Sequence, residues 1–216
     1  MYICTMYNLP YYKESDPEVV LQFVRSHPFA FLTGCDAQNK PVATQVPVFI
    51  DEREGKLYLS GHIMKHTDHH KALLQNPNVL AVFTGAHSYI SASWYEDKLQ
   101  ASTWNYMSVH ARGTLHFGDK DALLHILQRT TDYFENDPNS GANFKDIPVG
   151  YVEKLVNAIV AFEIEVTSLD HVFKLSQNRD EKSFHNIMDK LEAQDADGRV
   201  IAGEMKKRMS QLFKPD

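Results

Sequence analysis

Short runs of alternating hydrophobic and polar positions fill most of this chain, with amphipathic stretches near its start, middle and end. Ser15-Asp16-Pro17-Glu18 is a capping signal with a proline in the first turn, and Val20, Phe23 and Val24 share one face of the helix it opens. His27-Pro28 ends that helix, because a residue before proline is driven out of the helical region. Residues 29–34, 41–50 and 56–60 then read as strands, with Val42, Val46 and Val48 on one face of the second. Polar turns at 36–40 and 51–55 join them into an antiparallel meander. Asp68 caps a short helix to Gln75, which Asn76-Pro77-Asn78 stops. Strands follow at 79–85 and 106–117. Asp119 opens a helix carrying Leu123, Leu124, Ile126 and Leu127 to about residue 134. After a polar loop at 135–147, the pattern predicts a helix over 152–158, a buried strand over 159–166, and helices over 182–192 and 201–213.

Six strands with one apolar face each must close on something, so the pattern predicts an α+β fold: an antiparallel β-barrel with peripheral and C-terminal helices. The one boundary falls near residues 170–180. It divides a barrel domain, 1–170, from a helical extension, 171–216, packed on the barrel.

Composition narrows the class. The chain has 216 residues, 43% hydrophobic and 23% charged, with a net charge of −6. That is ordinary for a globular protein, and the negative field disfavours non-specific nucleic-acid binding. Cys4 and Cys35 have neither CxxC nor metal spacing, which points to free thiols in a reducing, cytoplasmic compartment. No apolar run reaches the length of a membrane span. GxSxG, GxGxxG, P-loop and HExxH motifs are absent.

The candidate chemistry gathers in four places. Ser88-Tyr89-Ile90-Ser91-Ala92-Ser93-Trp94-Tyr95 and Ser102-Thr103-Trp104-Asn105-Tyr106 hold both tryptophans among hydroxyls, an amide and, at His110, an imidazole. Such rings suit a planar ligand with polar edges, and equally a dimer interface. The segment Gly61-His62-Ile63-Met64-Lys65-His66-Thr67-Asp68-His69-His70-Lys71 leaves a strand for a helix N-terminus, which suits a phosphate. Its four histidines lack the fixed geometry that zinc requires, so no metal is expected. Thr44 and Gln45 are polar positions in an apolar strand that Pro47 marks as an edge. Lys174-Leu175-Ser176-Gln177-Asn178-Arg179 offers donors to an anionic or amide-rich partner. Lys206, Lys207, Arg208 and Lys214 read as charges complementing a helix end.

These motifs resemble the PaiB family, FMN-binding split-barrel proteins described as negative transcriptional regulators. The likeness rests on the two aromatic runs with His110 and Gly113. It continues in Tyr2-Ile3, Pro41 to Pro47, Gly61-His62 and the Lys174–Arg179 run. It implies a homodimeric split β-barrel with FMN at the subunit interface. Thr44, Gln45 and Val46 would line the flavin ring and ribityl chain. His62 and the segment through Lys65, Thr67 and Lys71 would face the phosphate. Trp104, Asn105 and Tyr106 would come from the partner, and Lys174, Gln177 and Arg179 would close the site. After Gly-His the family tends to read Ala-Arg-x-Asn-Pro-Gln-Trp-Lys. Here Lys71 is retained, the arginine and tryptophan are not, and Lys65 offers a point charge without an arginine's fork.

Two functions follow from the resemblance. One is an FMN-binding negative transcriptional regulator; direct DNA contact is weakly supported, since no DNA-reading module is present. The other is an FMN-dependent oxidoreductase, with Tyr106 or His110 as proton donor and no catalytic residue assigned.

Overall fold

The structure is a computed structural model that describes residue 7 and residues 9–213. Tyr2-Ile3, Cys4 and Lys214 lie outside the described residues. Helix α1 (Pro17–Ser26) is followed by strands β1 (Phe29–Cys35), β2 (Pro41–Arg53) and β3 (Lys56–Met64). Helix α2 (Asp68–Gln75) precedes strands β4 (Asn78–Ile90) and β5 (Thr103–Phe117). Helices α3 (Lys120–Glu135) and α4 (Val149–Ala158), strand β6 (Ile159–Lys174), and helices α5 (Glu181–Glu192) and α6 (Ala196–Leu212) complete the order. The strands close in the order β1-β2-β3-β6-β5-β4. The α+β antiparallel barrel with added helices is therefore present.

Most elements begin where their polar signals stand. Asp16 Oδ1, rather than Ser15, accepts the Glu18 N–H at 2.9 Å. Thr67, Asp119, Asp180 and Asp195 each accept a first-turn N–H at the starts of α2, α3, α5 and α6. Five strands outrun their predicted ends, β3, β4 and β6 by the most. β3 continues through His62 to Met64 because β6 supplies a new partner there, from Gly61↔Phe162 to Met64↔Ile159. β4 runs on to Ile90 and β6 to Lys174.

Contacts divide the chain into two compact units. The first comprises Leu21–Phe83 and His110–Leu169. It contains the β1–β2, β1–β4, β2–β3 and β3–β6 pairings. Its core includes Ala30, Leu32, Leu59, Phe83, Ala111, Phe162 and Ile164. The second comprises the described part of Met1–Val20, Thr84–Val109 and Asp170–Asp216. There α5 and α6 pack together, and Ile90, Tyr95, Phe173, Leu175, Phe184, Ile187, Leu191 and Met205 are buried. The chain beyond Leu169 thus shares its unit with two earlier segments.

β2 explains the split in the barrel. Its first half pairs with β1, from Cys35↔Pro41 to Phe29↔Pro47. Its second half pairs with β3, from Val48↔Gly61 to Arg53↔Lys56. At Pro47 the ladder has no N–H to continue with. At Gly61 the backbones come so close that an added Cβ would lie 2.8 Å from the Pro47 carbonyl oxygen and 2.9 Å from the Phe162 ring. Beyond this point β3 goes with β6, and residues 41–47 of β2 are left paired on one side only.

Candidate functional site

The fork between β2 and β3 opens a groove of about 300 Å³, at the lower end of the range for small-molecule sites. Thr44, Gln45, Val46 and Pro47 form one wall; His62, Ile63 and Met64 face them, with Thr67 and His69 nearby. The one-sided strand leaves backbone groups beside Gln45 without a ladder partner, so the wall can read the edge of a heterocycle. His62 Nδ1 is buried with no hydrogen-bond partner among the described residues. Burial pushes the His62 pKa below the usual histidine range, so the ring is neutral at pH 7. A buried unpaired nitrogen facing a groove is costly unless something there pairs with it.

The helix end beside this groove is largely satisfied by its own residues. The Thr67 hydroxyl accepts the His70 N–H at 3.2 Å, and the Thr67 carbonyl accepts the Lys71 N–H at 3.1 Å. Asp68 Oδ1 accepts the His69 N–H at 2.7 Å and adds negative charge. Lys65 lines a different cavity, with Val156, Asn157 and Lys120, and its Nζ reaches the Val156 carbonyl at 3.4 Å. Lys71 is exposed on α2. His66 occupies a left-handed turn, φ 67°, from which its N–H reaches His70 Nδ1 at 3.2 Å. His70 packs against Phe117, and burial lowers its pKa. Among the described residues no group of three His, Cys, Asp or Glu side chains could hold a metal ion.

The aromatic residues lie in the other unit and have separate roles. Trp104 and Tyr89 are half exposed, at 51% and 49%, and meet edge to face at 5.9 Å. Tyr95 is fully buried under the Arg179 guanidinium, 4.1 Å from the ring centre. Asn105 alternates inward on β5 and is 0% exposed: its Oδ1 accepts the Ser176 hydroxyl at 3.0 Å, and its Nδ2 lies 3.5 Å from Met205 Sδ. Gln177 is bound to its own backbone, accepting the Leu175 N–H at 2.7 Å and donating to the Phe173 carbonyl at 2.6 Å. Lys174 donates to the Thr103 hydroxyl and sits 5.9 Å from the ring centres of Tyr7 and Tyr12. Burial, then the Arg179 charge, lowers the Lys174 pKa. Burial, reinforced by Tyr11 and Tyr7, raises Tyr12 to about 12. Burial also raises Tyr106. His110 is half-buried on β5.

The structure therefore brings Thr44, Gln45, Val46, His62 and Thr67 onto one groove. It gathers Trp104, Asn105, Tyr106, Lys174, Gln177 and Arg179 in the other unit. Lys65, Lys71 and His110 do not line the groove. His69, read from the sequence as part of the phosphate-facing segment, does line it, as do Pro47 and Met64, which the sequence marked only as an edge-strand proline and a segment residue.

A closed antiparallel barrel that forks at one strand to open a polar-edged groove is a split barrel. Residues 6–168 match the family model described as "Putative FMN-binding domain", and the chain belongs to this FMN-binding family. It is a protein of the PaiB type: it is 29% identical to protease synthase and sporulation protein PAI 2 of Bacillus subtilis over 187 residues, covering 87% of this chain and 89% of that one. The same fold occurs in the conserved hypothetical protein Rv2991 of Mycobacterium tuberculosis (TM-score 0.55, 13% identity, 78% of this chain and 91% of that one). It also occurs in the flavocytochrome Anf3 of Azotobacter vinelandii (TM-score 0.53, 17% identity, 80% and 74%). Among the described residues no helix is long and apolar enough to cross a membrane.

Proposed function

We propose that this FMN-binding protein acts as a cytoplasmic homodimer in negative transcriptional regulation, with the flavin along the β2–β3 fork. One observation carries the placement: the unpaired His62 Nδ1 and the one-sided β2 wall line a single groove. Gln45 and the free strand edge address the polar edge of the flavin ring, and Thr44, Val46 and Thr67 flank the ribityl chain. Trp104 and Tyr106 of a second copy supply aromatic cover, which gives the half-exposed Trp104 a partner. The ring end fits FMN well. The phosphate end is incomplete within one chain, because the α2 amides are capped and Lys65 points elsewhere, so the second copy must complete it. The regulatory reading draws on the Bacillus relative, named for protease synthesis and sporulation. With a net charge of −6, regulation through flavin occupancy or a protein partner fits better than direct DNA contact.

A second reading is favoured by Tyr106, whose burial keeps the phenol protonated well above neutral pH. Bound FMN would supply redox chemistry, and Tyr106 could hold or donate a proton beside it. The test is the visible spectrum and solution mass of the purified chain, before and after adding FMN. The expected result is a yellow dimer that releases FMN on denaturation. A colourless preparation that FMN cannot reconstitute overturns the proposal. Oxidation of reduced nicotinamide by the yellow dimer would favour the enzyme.

A further inference from the structure

The turn from Lys174 to Arg179 is more rigidly held than a connection between β6 and α5 requires. Ser176 adopts a left-handed conformation, φ 64°, that costs a serine energy and must be enforced by its surroundings. Its hydroxyl is fastened to the buried Asn105. Gln177 clamps the backbone on both sides of the turn, at Leu175 and Phe173. The Arg179 N–H closes the turn on the Ser176 carbonyl at 3.0 Å, and Asp180 caps α5.

After these commitments the part-buried polar groups left to the turn are two cations, Lys174 and Arg179. Arg179 lies close enough for its charge to act on both Lys174 and Tyr12. Among the described residues neither cation has a carboxylate partner: Lys174 meets Thr103, Tyr7 and Tyr12, and Arg179 meets Tyr95. Two other part-buried cations, Arg129 and Arg208, are matched with carboxylates, while Lys13 and Lys65 end on the carbonyls of His171 and Val156. Arg129 forks onto Asp51 at 2.6 and 2.8 Å, and Arg208 bridges Glu14 and Glu204. Two like charges held together in a tyrosine-walled, half-buried place, with no counter-charge, are unfavourable alone and well suited to an anion.

We propose that Lys174 and Arg179 form a preorganised site for the carboxylate or phosphate group of a small anionic ligand other than the flavin. This goes beyond the flavin reading and does not depend on it, because the anion site can be assayed without FMN.

The experiment measures the thermal midpoint of the full-length, FMN-free protein in sulfate, phosphate and acetate, with chloride at equal ionic strength as the control. The wild type should be stabilised above the chloride control. A larger response to phosphate and sulfate would assign a phosphate ligand, and a larger response to acetate a carboxylate. The double variant Lys174→Gln, Arg179→Gln should bind the anion at least about tenfold more weakly. Arg179→Lys should retain part of the effect. Should the double variant fail to fold, the wild type alone still decides, because a bound anion must slow acylation of Lys174 as read by mass spectrometry. The proposal is overturned if no anion exceeds chloride, if the double variant responds like wild type, or if Lys174 acylation is unaffected. It is also overturned if saturating FMN abolishes the response, since the pair would then belong to the flavin phosphate.

Discussion

The groove at the strand fork and the turn after β6 solve opposite problems with polar groups. The groove leaves them open: among the described residues, a strand edge has no second partner and a buried imidazole nitrogen no hydrogen bond, beside a glycine–proline closure that keeps two backbones in contact. The turn commits them: a serine, a glutamine and an asparagine are tied into the backbone and core, and two cations remain over. Neutral, unpaired groups suit the uncharged ring of a flavin, whereas an over-determined scaffold holding two charges suits an anion. Similar residue types thus serve differently according to whether their hydrogen bonds are already made.

The largest expected effect comes from closing the fork. Gly61→Ala puts a methyl group against the Pro47 carbonyl and the Phe162 ring, and should cost about 1–3 kcal/mol in a denaturant melt. It should also weaken FMN uptake, because β2 and β3 must move apart at the groove. Retained stability and affinity would refute the account of the split. Asn105→Ala should cost a similar or smaller amount, about 1–3 kcal/mol, since it leaves the buried Ser176 hydroxyl unpaired. Its effect should fall on the turn: the anion response should weaken, while flavin affinity in the groove changes less. Equal losses in both would show that the two regions are not separable.

Protonation gives a smaller effect. His62, His70 and His171 are all lowered from the usual 6.5, chiefly by burial. Above that pH they are neutral both folded and unfolded, so they make no difference to stability. Below it the unfolded chain takes up protons that the folded chain resists, so stability must fall as pH drops below about 6.5. Thermal midpoints across pH 5 to 7 measure this, and His62→Gln should flatten the dependence. The smallest effect belongs to Lys65→Met. Its ammonium lines another cavity, so FMN affinity should stay within about twofold, less than one charged hydrogen bond is worth. A tenfold loss would return Lys65 to the phosphate site that the family pattern implies.

The sequence by itself determined the elements and much of the chemistry. Alternation marked the strands, Asp119 marked the start of α3, and Pro47 marked the place where a ladder must fail, because each is a local consequence of backbone geometry. The α2 cap is Thr67 rather than Asp68, and α6 starts at Ala196, five residues before the expected 201. The paired aromatic motifs carried the family, and with it the cofactor. Tertiary structure alone decided which polar groups remained available. Asn105 and Asn178 are both amides in polar motifs, yet one is buried against Ser176 and Met205 and the other is exposed. Tyr95 and Trp104 are both aromatic motif residues, yet one is core and the other half exposed. Thr67 and Lys65 both looked suited to a phosphate, but one caps its own helix and the other points into a separate cavity. β3 ran past its expected end because only the partner strand β6 could supply hydrogen bonds for His62 to Met64. A residue's type is local, but whether its hydrogen bonds are already made depends on neighbours that folding brings from far along the chain.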